Sequence, residues 1–459
     1  MKKLMPVLAV LIIFSMLLAS CAPTEVVRTV VITQMVEGQP VEKIITATPL
    51  PVEPTPDTSN DPVTLRFTTW TGNETQLALL NEIAAAYKVE HPNVTVNFET
   101  IGFEDYPTKL TLQLAGGDPP DMGWVVEVVA ANWIKAGVLE DLAPTLKADA
   151  DYNFDDFSAG PLAGWTNGDS LYAVPFSTSP FFVIYNIDLF EAAGQATPAE
   201  MITAGEWTWE NLAKASKVVA EKNGKGTYGL QASEGGNFYG GNLFQGITPF
   251  VWAYGGNLWT PDYTTCQLNT PESVEALSLV QSMVVTDKSV VPPGETISFT
   301  TGKVGMAMGQ VSRIGPLKDA TFKWAIAPLP AGPEGVKPTI GQAAIGVFSA
   351  GKHKAAATDF LAYITNAENV TKMAKFWPPA RKSVLATDVV AKNYPVLDPA
   401  VVKAAVNESI NIGQVVPSHP DFAKLDLTLR PFFDQMWTAG ADVQALMDEA
   451  CTAGAPYFK

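Results

Sequence analysis

A two-lobed α/β protein is what this sequence predicts, on three observations. Strand-like and helix-like periodicities alternate along the chain, roughly 400 residues remain once an export leader and a linker are set aside, and no second apolar stretch is long enough to span a membrane. Repeated strand-helix alternation implies a lobe built on a largely parallel sheet. A globular region of that length exceeds one typical core and calls for two domains or one two-lobed unit.

The chain opens on Met1-Lys2-Lys3, an uncharged, mostly apolar run from Leu4 to Ser20, and Cys21, which is the layout of a secretory signal. The run is shorter than the ~20 residues that span a bilayer. Leu18-Ala19-Ser20-Cys21 resembles the lipobox of bacterial lipoproteins. That resemblance implies a signal peptide at 1–20, cleaved before Cys21, and a thiol carrying a diacylglyceryl group. Several acyl chains anchor a protein stably where one would not, at ~0.8 kcal/mol per buried methylene. Residues 21–61, with Val-Thr repeats and then Thr48-Pro49-Leu50-Pro51-Val52-Glu53-Pro54-Thr55-Pro56, show no strand or helix pattern and are expected to be a Pro/Thr-rich linker. Such a linker lets the globular part stand off the membrane.

With Lys2 and Lys3 removed, 28 basic residues face 47 acidic ones, a formal charge of −19. This balance argues against nucleic acid as a partner. It does not by itself indicate a cationic ligand, since an acidic surface commonly serves solubility. After Cys21, only Cys266 and Cys451 remain for an oxidising compartment, either as a disulfide closing a long loop or as two separately buried thiols.

Val63-Thr64-Leu65-Arg66-Phe67-Thr68 alternates as a half-buried strand does. From Thr75 to Glu90, apolar Leu79, Leu80, Ile83, Ala84 and Tyr87 recur at helical spacing, and His91-Pro92-Asn93 stops the helix before a strand at Val94 to Phe98. A helix from Tyr106 to Ala115, a turn at Gly116-Gly117-Asp118-Pro119-Pro120, a strand from Asp121 and a helix holding Trp133 and Ile134 follow. Two strands are expected at Leu171–Phe176 and Phe181–Asn186, linked over a crevice by Ser177-Thr178-Ser179. Helices follow Trp207-Thr208-Trp209-Glu210 and span Glu272 to Val284, and Phe322 to Ala327 reads as a strand. Ligands of open α/β sheets sit beyond the carboxyl ends of the strands, which nominates Trp70, Asp121, Trp124 and Glu127 by position.

Six ordered segments carry a resemblance to the family 1 extracellular solute-binding proteins, the group that includes maltose-binding protein. They are Ala115 to Asp121; Tyr172-Ala173-Val174-Pro175 with Tyr185 to Phe190; Trp207 to Leu212; Phe299 to Met308; Ala327 to Pro330; and Pro379-Ala380-Arg381. The resemblance covers nearly all of 62–459. It implies a type II periplasmic-binding-protein fold, with a ligand cleft between two hinged lobes that close on a small molecule. By analogy the N-terminal lobe holds 62–170 plus 304–348 and the C-terminal lobe 171–303 plus 349–459. The implied role is that of the lipid-anchored, extracytoplasmic, monomeric substrate-binding component of an ABC importer, with permease subunits as partners and no cofactor.

A sugar presents apolar C–H faces and a rim of hydroxyls, so its site needs aromatic platforms and planar side chains that donate and accept. Eleven tryptophans supply the first, although Trp133 and Trp437 lie in helical patterns and read as core. Position by position, the family carries Trp70, Glu74, Asp121, Trp124 and Glu127 into the cleft from one side. From the other come Ser179, Phe181 and Trp252, with Gly341-Gln342 near the hinge, then Trp377 and Arg381. Where the family commonly places an aromatic after Met308, this chain has Gly309-Gln310-Val311-Ser312-Arg313. Arg381 reads either as a grip on an acidic sugar or as a structural ion pair.

An enzyme is the rival of another class, since Asp118 with Asp121, or Asp155 with Asp156, offers paired carboxylates for glycoside hydrolysis. No nucleophile elbow, zinc helix or phosphate loop accompanies them, and His91, His353 and His419 are too scattered for a metal site. A non-sugar solute, or a sensor or adhesin on the same fold, are the remaining alternatives.

Overall fold

The computed structural model describes residues 61–232, 238–239, 243–295, 297–415 and 418–459, with backbone alone for 28–36, 39–47 and residues 104, 107 and 115. The leader 1–20, Cys21 and the proline-rich part of the linker lie outside the described residues. Within the linker the expectation of patternless chain is corrected: β1 (Arg28–Val36) and β2 (Gln39–Ala47) pair antiparallel from Arg28↔Ala47 to Val36↔Gln39. Both segments are rich in β-branched residues, and only Glu37-Gly38 separates them, which favours a hairpin over a coil.

The remaining strands are β3 (Val63–Thr69), β4 (Val94–Thr100), β5 (Met122–Val126), β6 (Thr166–Asn167), β7 (Ser170–Leu171), β8 (Val174–Pro180), β9 (Phe182–Asn186), β10 (Tyr228–Gln231), β11 (Val304–Gly309), β12 (Trp324–Ala327), β13 (Thr339–Val347) and β14 (Gln414–Val415). The longer helices are α1 (Glu74–Glu90), α2 (Tyr106–Ala115), α3 (Glu127–Lys135), α4 (Trp209–Asn223), α5 (Leu243–Ala253), α6 (Pro271–Gln281), α7 (Lys354–Ile364), α8 (Phe422–Met436) and α9 (Val443–Gly454). Helix α1 starts where it does because the Asn73 side chain accepts from the backbone N–H groups of Thr75 and Gln76. Its Leu80, Ile83, Ala84 and Tyr87 then face the core as one stripe.

Two sheets define two lobes. The first runs β14-β13-β5-β3-β4 with β8 beside β13, and the second runs β10-β11-β9-β12. Each is mixed, a correction to the largely parallel expectation: β3 pairs parallel with β4 and β5, but β13 runs antiparallel to β5 and β8. The physical reason is connectivity. Strand β13 returns from the other lobe at the carboxyl end of β5 and runs back against it.

Pairing also corrects the lobe boundaries. Strand β11 bonds to β9 and β10, and β12 bonds to β9, so 304–338 belongs to the second lobe. Conversely β8 joins the first sheet, and Ala357, Phe360, Leu361, Ile364, Met373 and Ala380 pack with Phe67, Leu80 and Trp165, so 171–180 and 349–380 belong to the first. The second sheet is covered on one face by Trp209, Phe250, Leu277 and Phe433 and on the other by Leu385, Val402, Val406 and Ile410. A disulfide joins Cys266 to Cys451 and pins α9 against that lobe.

Candidate functional site

The strand registers decide which loops meet. Thr69 ends β3, Val126 ends β5 opposite Ala343, and Ser179 near the end of β8 pairs with Gly341. One edge of the first sheet therefore presents Trp70, Glu127, Ser179 and Gly341-Gln342 together, beside the crossing into the second lobe at Pro180–Phe182. In the second lobe, Gly309 at the end of β11 lies opposite Phe182, and Ala327 at the end of β12 lies opposite Val183. The cleft is thus bounded by carboxyl-terminal strand ends from both lobes.

Aromatic rings line the first-lobe side. Half-buried Trp70 packs edge-on against buried Trp124 at 4.8 Å between centroids and against Tyr106 at 5.0 Å. Half-buried Trp377 meets the same Trp124 edge-on at 5.4 Å and Phe176 at 5.6 Å. Phe103, 52% exposed, leans on Trp70 at 5.7 Å. The Tyr106 hydroxyl donates within this frame, 2.8 Å from the Trp124 carbonyl and 3.1 Å from that of Thr68, which ties α2 to two strands. Edge-to-face contacts of this kind hold rings in fixed planes. Trp124 is the backing of the wall, and Trp70 and Trp377 are its accessible faces.

Glu127, the first residue of α3, is buried at 4% exposure. Its carboxylate accepts from Gln245 on α5, at 3.1 Å, and from the backbone N–H groups of Glu127 itself and Gln342. Burial raises its pKa to about 7 despite those hydrogen bonds. Gln245 belongs to the second lobe, so this bond spans the cleft. A second crossing bond runs from the Gln310 carboxamide to the Ser179 carbonyl, at 2.8 Å. A Cβ on Gly341 would lie 2.4 Å from Gln310 Nε2, so any side chain there would push the Gln310 carboxamide out of this position. The Gln342 side chain faces inward, donating to Thr178 and accepting from the Trp165 indole.

Two expected ligand residues are corrected. Asp121 precedes β5, at the edge of the sheet away from the cleft, and its carboxylate is occupied by the backbone N–H groups of Arg66, Lys352 and His353 and by the His353 ring. Arg381 is 1% exposed and serves the first lobe from inside. Its guanidinium donates to the carbonyls of Tyr152, Asn153 and Thr365, pairs with Asp156 at 3.4 Å, and lies over the rings of Tyr152 and Phe157.

The other expected positions divide. Phe181, 3% exposed, packs into the second-lobe core rather than standing as a platform. Trp252, 8% exposed, lies seven residues beyond Gln245 on the same face of α5, and its N–H donates to Asn257 at 3.1 Å. Glu74 is exposed at the start of α1. The Ser179 hydroxyl is buried without a partner among the described residues. Gln245, Gln310 and Phe103 were not singled out from the sequence. Gln245 could have been, since it is a lone hydrogen-bonding carboxamide in the otherwise apolar run Leu243 to Ala253. Of the paired carboxylates, Asp118 binds Arg66 at 3.0 Å, and Asp156 is held by Ser383.

Two α/β lobes, connected by several crossings and facing each other across an aromatic and polar cleft, define a two-lobed binding protein. A family model for bacterial extracellular solute-binding proteins matches residues 71–371, and the chain belongs to that family. A Brucella abortus protein named as a binding protein is 28% identical over 275 residues, covering 57% of this chain and 61% of the relative's length. Among solved structures, an ABC substrate-binding protein of Listeria monocytogenes in complex with cycloalternan superimposes with a TM-score of 0.72 at 23% identity, covering 86% of this chain and 99% of that one. A cyclic α-maltosyl-1,6-maltose binding protein of Arthrobacter globiformis gives 0.74 at 21% identity, covering 87% and 99%.

Proposed function

We propose that this protein captures a small carbohydrate between its lobes and delivers it to the permease of an ABC importer, while tethered outside the membrane through lipidated Cys21. The observation that carries the reading is the wall of Trp70 and Trp377 backed by Trp124, set beside the Glu127 carboxylate and Gln245 carboxamide on opposite lobes. Ring faces take the apolar C–H surfaces of a pyranose, and a carboxylate or carboxamide takes hydroxyls in pairs. A ligand touching both walls binds the closed arrangement better than the open one and shifts the population toward it. The names carried by the two solved structures, both cyclic oligosaccharide binders, support this ligand class.

Titration of the mature protein with mono-, di- and cyclic oligosaccharides, followed by tryptophan fluorescence and calorimetry, tests the reading. At least one carbohydrate is expected to bind, and Trp70→Ala to weaken it by about tenfold or more, equivalent to ~1.4 kcal/mol or more. Binding of a non-sugar solute with no response to any carbohydrate would overturn the ligand class.

A further inference from the structure

We propose that Glu127 and Gln245 form a proton-sensitive latch across the cleft, so that the lobes close more readily in acid than in mildly alkaline solution. This goes beyond carbohydrate capture and holds whatever the solute is. Three observations carry it. The Glu127 carboxylate belongs to the first lobe and the Gln245 carboxamide to the second, and they meet at 3.1 Å. That carboxylate is buried where the lobes meet: α5 lies against β13, and α3 is tied to the segment before α8 by Asn132 donating to the Pro420 carbonyl at 2.8 Å. Among the described residues no cation enters its titration, which burial and hydrogen bonds from Gln342, Gln245 and its own backbone shape.

Strands β5 and β13 and helix α5 carry no titratable side chain, and α3 carries only Lys135 besides Glu127, at its far end. Helix α8 and the turn before it bring His419, Asp421, Lys424, Asp426, Arg430 and the exposed Asp434. Lys424 pairs with Asp421 at 3.4 Å and Arg430 with Asp426, while His419 is buried with its pKa lowered. None of these groups shifts Glu127.

The sign follows from linkage. A carboxyl whose pKa is about 7 with the lobes together, and ordinary once opening exposes it to water, favours closure when protonated. That preference is complete below the ordinary carboxylate value and is lost as pH rises to about 7, by roughly tenfold in the closed-to-open ratio per pH unit. Above that, Glu127 is ionised in both states and the ratio stays at its minimum.

Small-angle X-ray scattering of the ligand-free mature protein from pH 5 to pH 8 tests the latch without any solute, so its outcome is separable from the carbohydrate titration. The radius of gyration is expected to rise with pH in the wild type. Glu127→Gln, a fixed neutral carboxyl surrogate, is expected to stay at the compact value throughout, and Gln245→Ala, which keeps the buried carboxyl but loses the crossing bond, to be more expanded than the wild type while still responding to pH. Thermal melts establish that each variant is folded. A wild-type radius that does not change across this range, or a Glu127→Gln profile that follows the wild type, overturns the proposal.

Discussion

Arg381 shows how one residue can look functional in sequence and be structural in the fold. A cation beside a proline turn invites a ligand carboxylate, yet here it is 1% exposed, pairs with Asp156 and donates to three carbonyls. Breaking a buried pair from one side strands the other charge, at a cost of about 3–5 kcal/mol. Arg381→Met is therefore expected to lower unfolding free energy by about that amount while leaving solute affinity within about twofold. Denaturant unfolding alongside a solute titration checks both; lost affinity with unchanged stability would return Arg381 to the cleft. Asp121 follows the same logic, since four hydrogen bonds leave its carboxylate no capacity for a ligand. By contrast Trp70 was nominated from its place after a strand, and the structure sets it half-buried in the aromatic wall. Position after a strand was legible. Whether a polar side chain turns to the cleft or to a neighbouring backbone was not, because that depends on partners 16 to 232 residues away.

At the scale of elements, most helices and strands were visible as periodicity, but their pairing was not. Phe322 to Ala327 alternates like a strand, and the strand forms at Trp324–Ala327. Nothing local says that it pairs with β9 rather than with the first sheet. The ends of the second lobe are tied by the Cys266–Cys451 disulfide, whose sequence separation is 185. At the entropic limit such a loop contributes about 5 kcal/mol to stability. The Cys266→Ser/Cys451→Ser double variant is expected to lose Tm by roughly 5–10 °C. Calorimetry of the variant, and of the wild type under reductant, measures it; unchanged melting would mean the bridge constrains nothing in the unfolded chain. The β1–β2 hairpin rests on two nine-residue runs of β-branched character that adjoin the proline-rich stretch Thr48 to Pro56, and composition alone reads the whole as linker.

For the molecule as a whole, the cleft exists only because chain segments far apart in sequence alternate between lobes. The strand at 304–309 looks like a continuation of a first-lobe return, and it is instead the centre of the second sheet, between β10 and β9. The proposed tether is a separate matter and rests on Leu18-Ala19-Ser20-Cys21. Labelling cells with radioactive palmitate is expected to mark the wild type, and Cys21→Ala is expected to abolish the label and release the protein from the membrane fraction. A label that persists in the variant would place the acylation elsewhere.

Element periodicities and the ordered family segments are local, so the sequence alone determined the class of protein and the supply of aromatic residues for its cleft. Lobe membership, the burial of Arg381, and the meeting of Glu127 with Gln245 across 118 residues are long-range facts. They were decided only in the tertiary structure, where strand register fixes which loop ends share an edge and burial then sets which polar groups remain for a ligand.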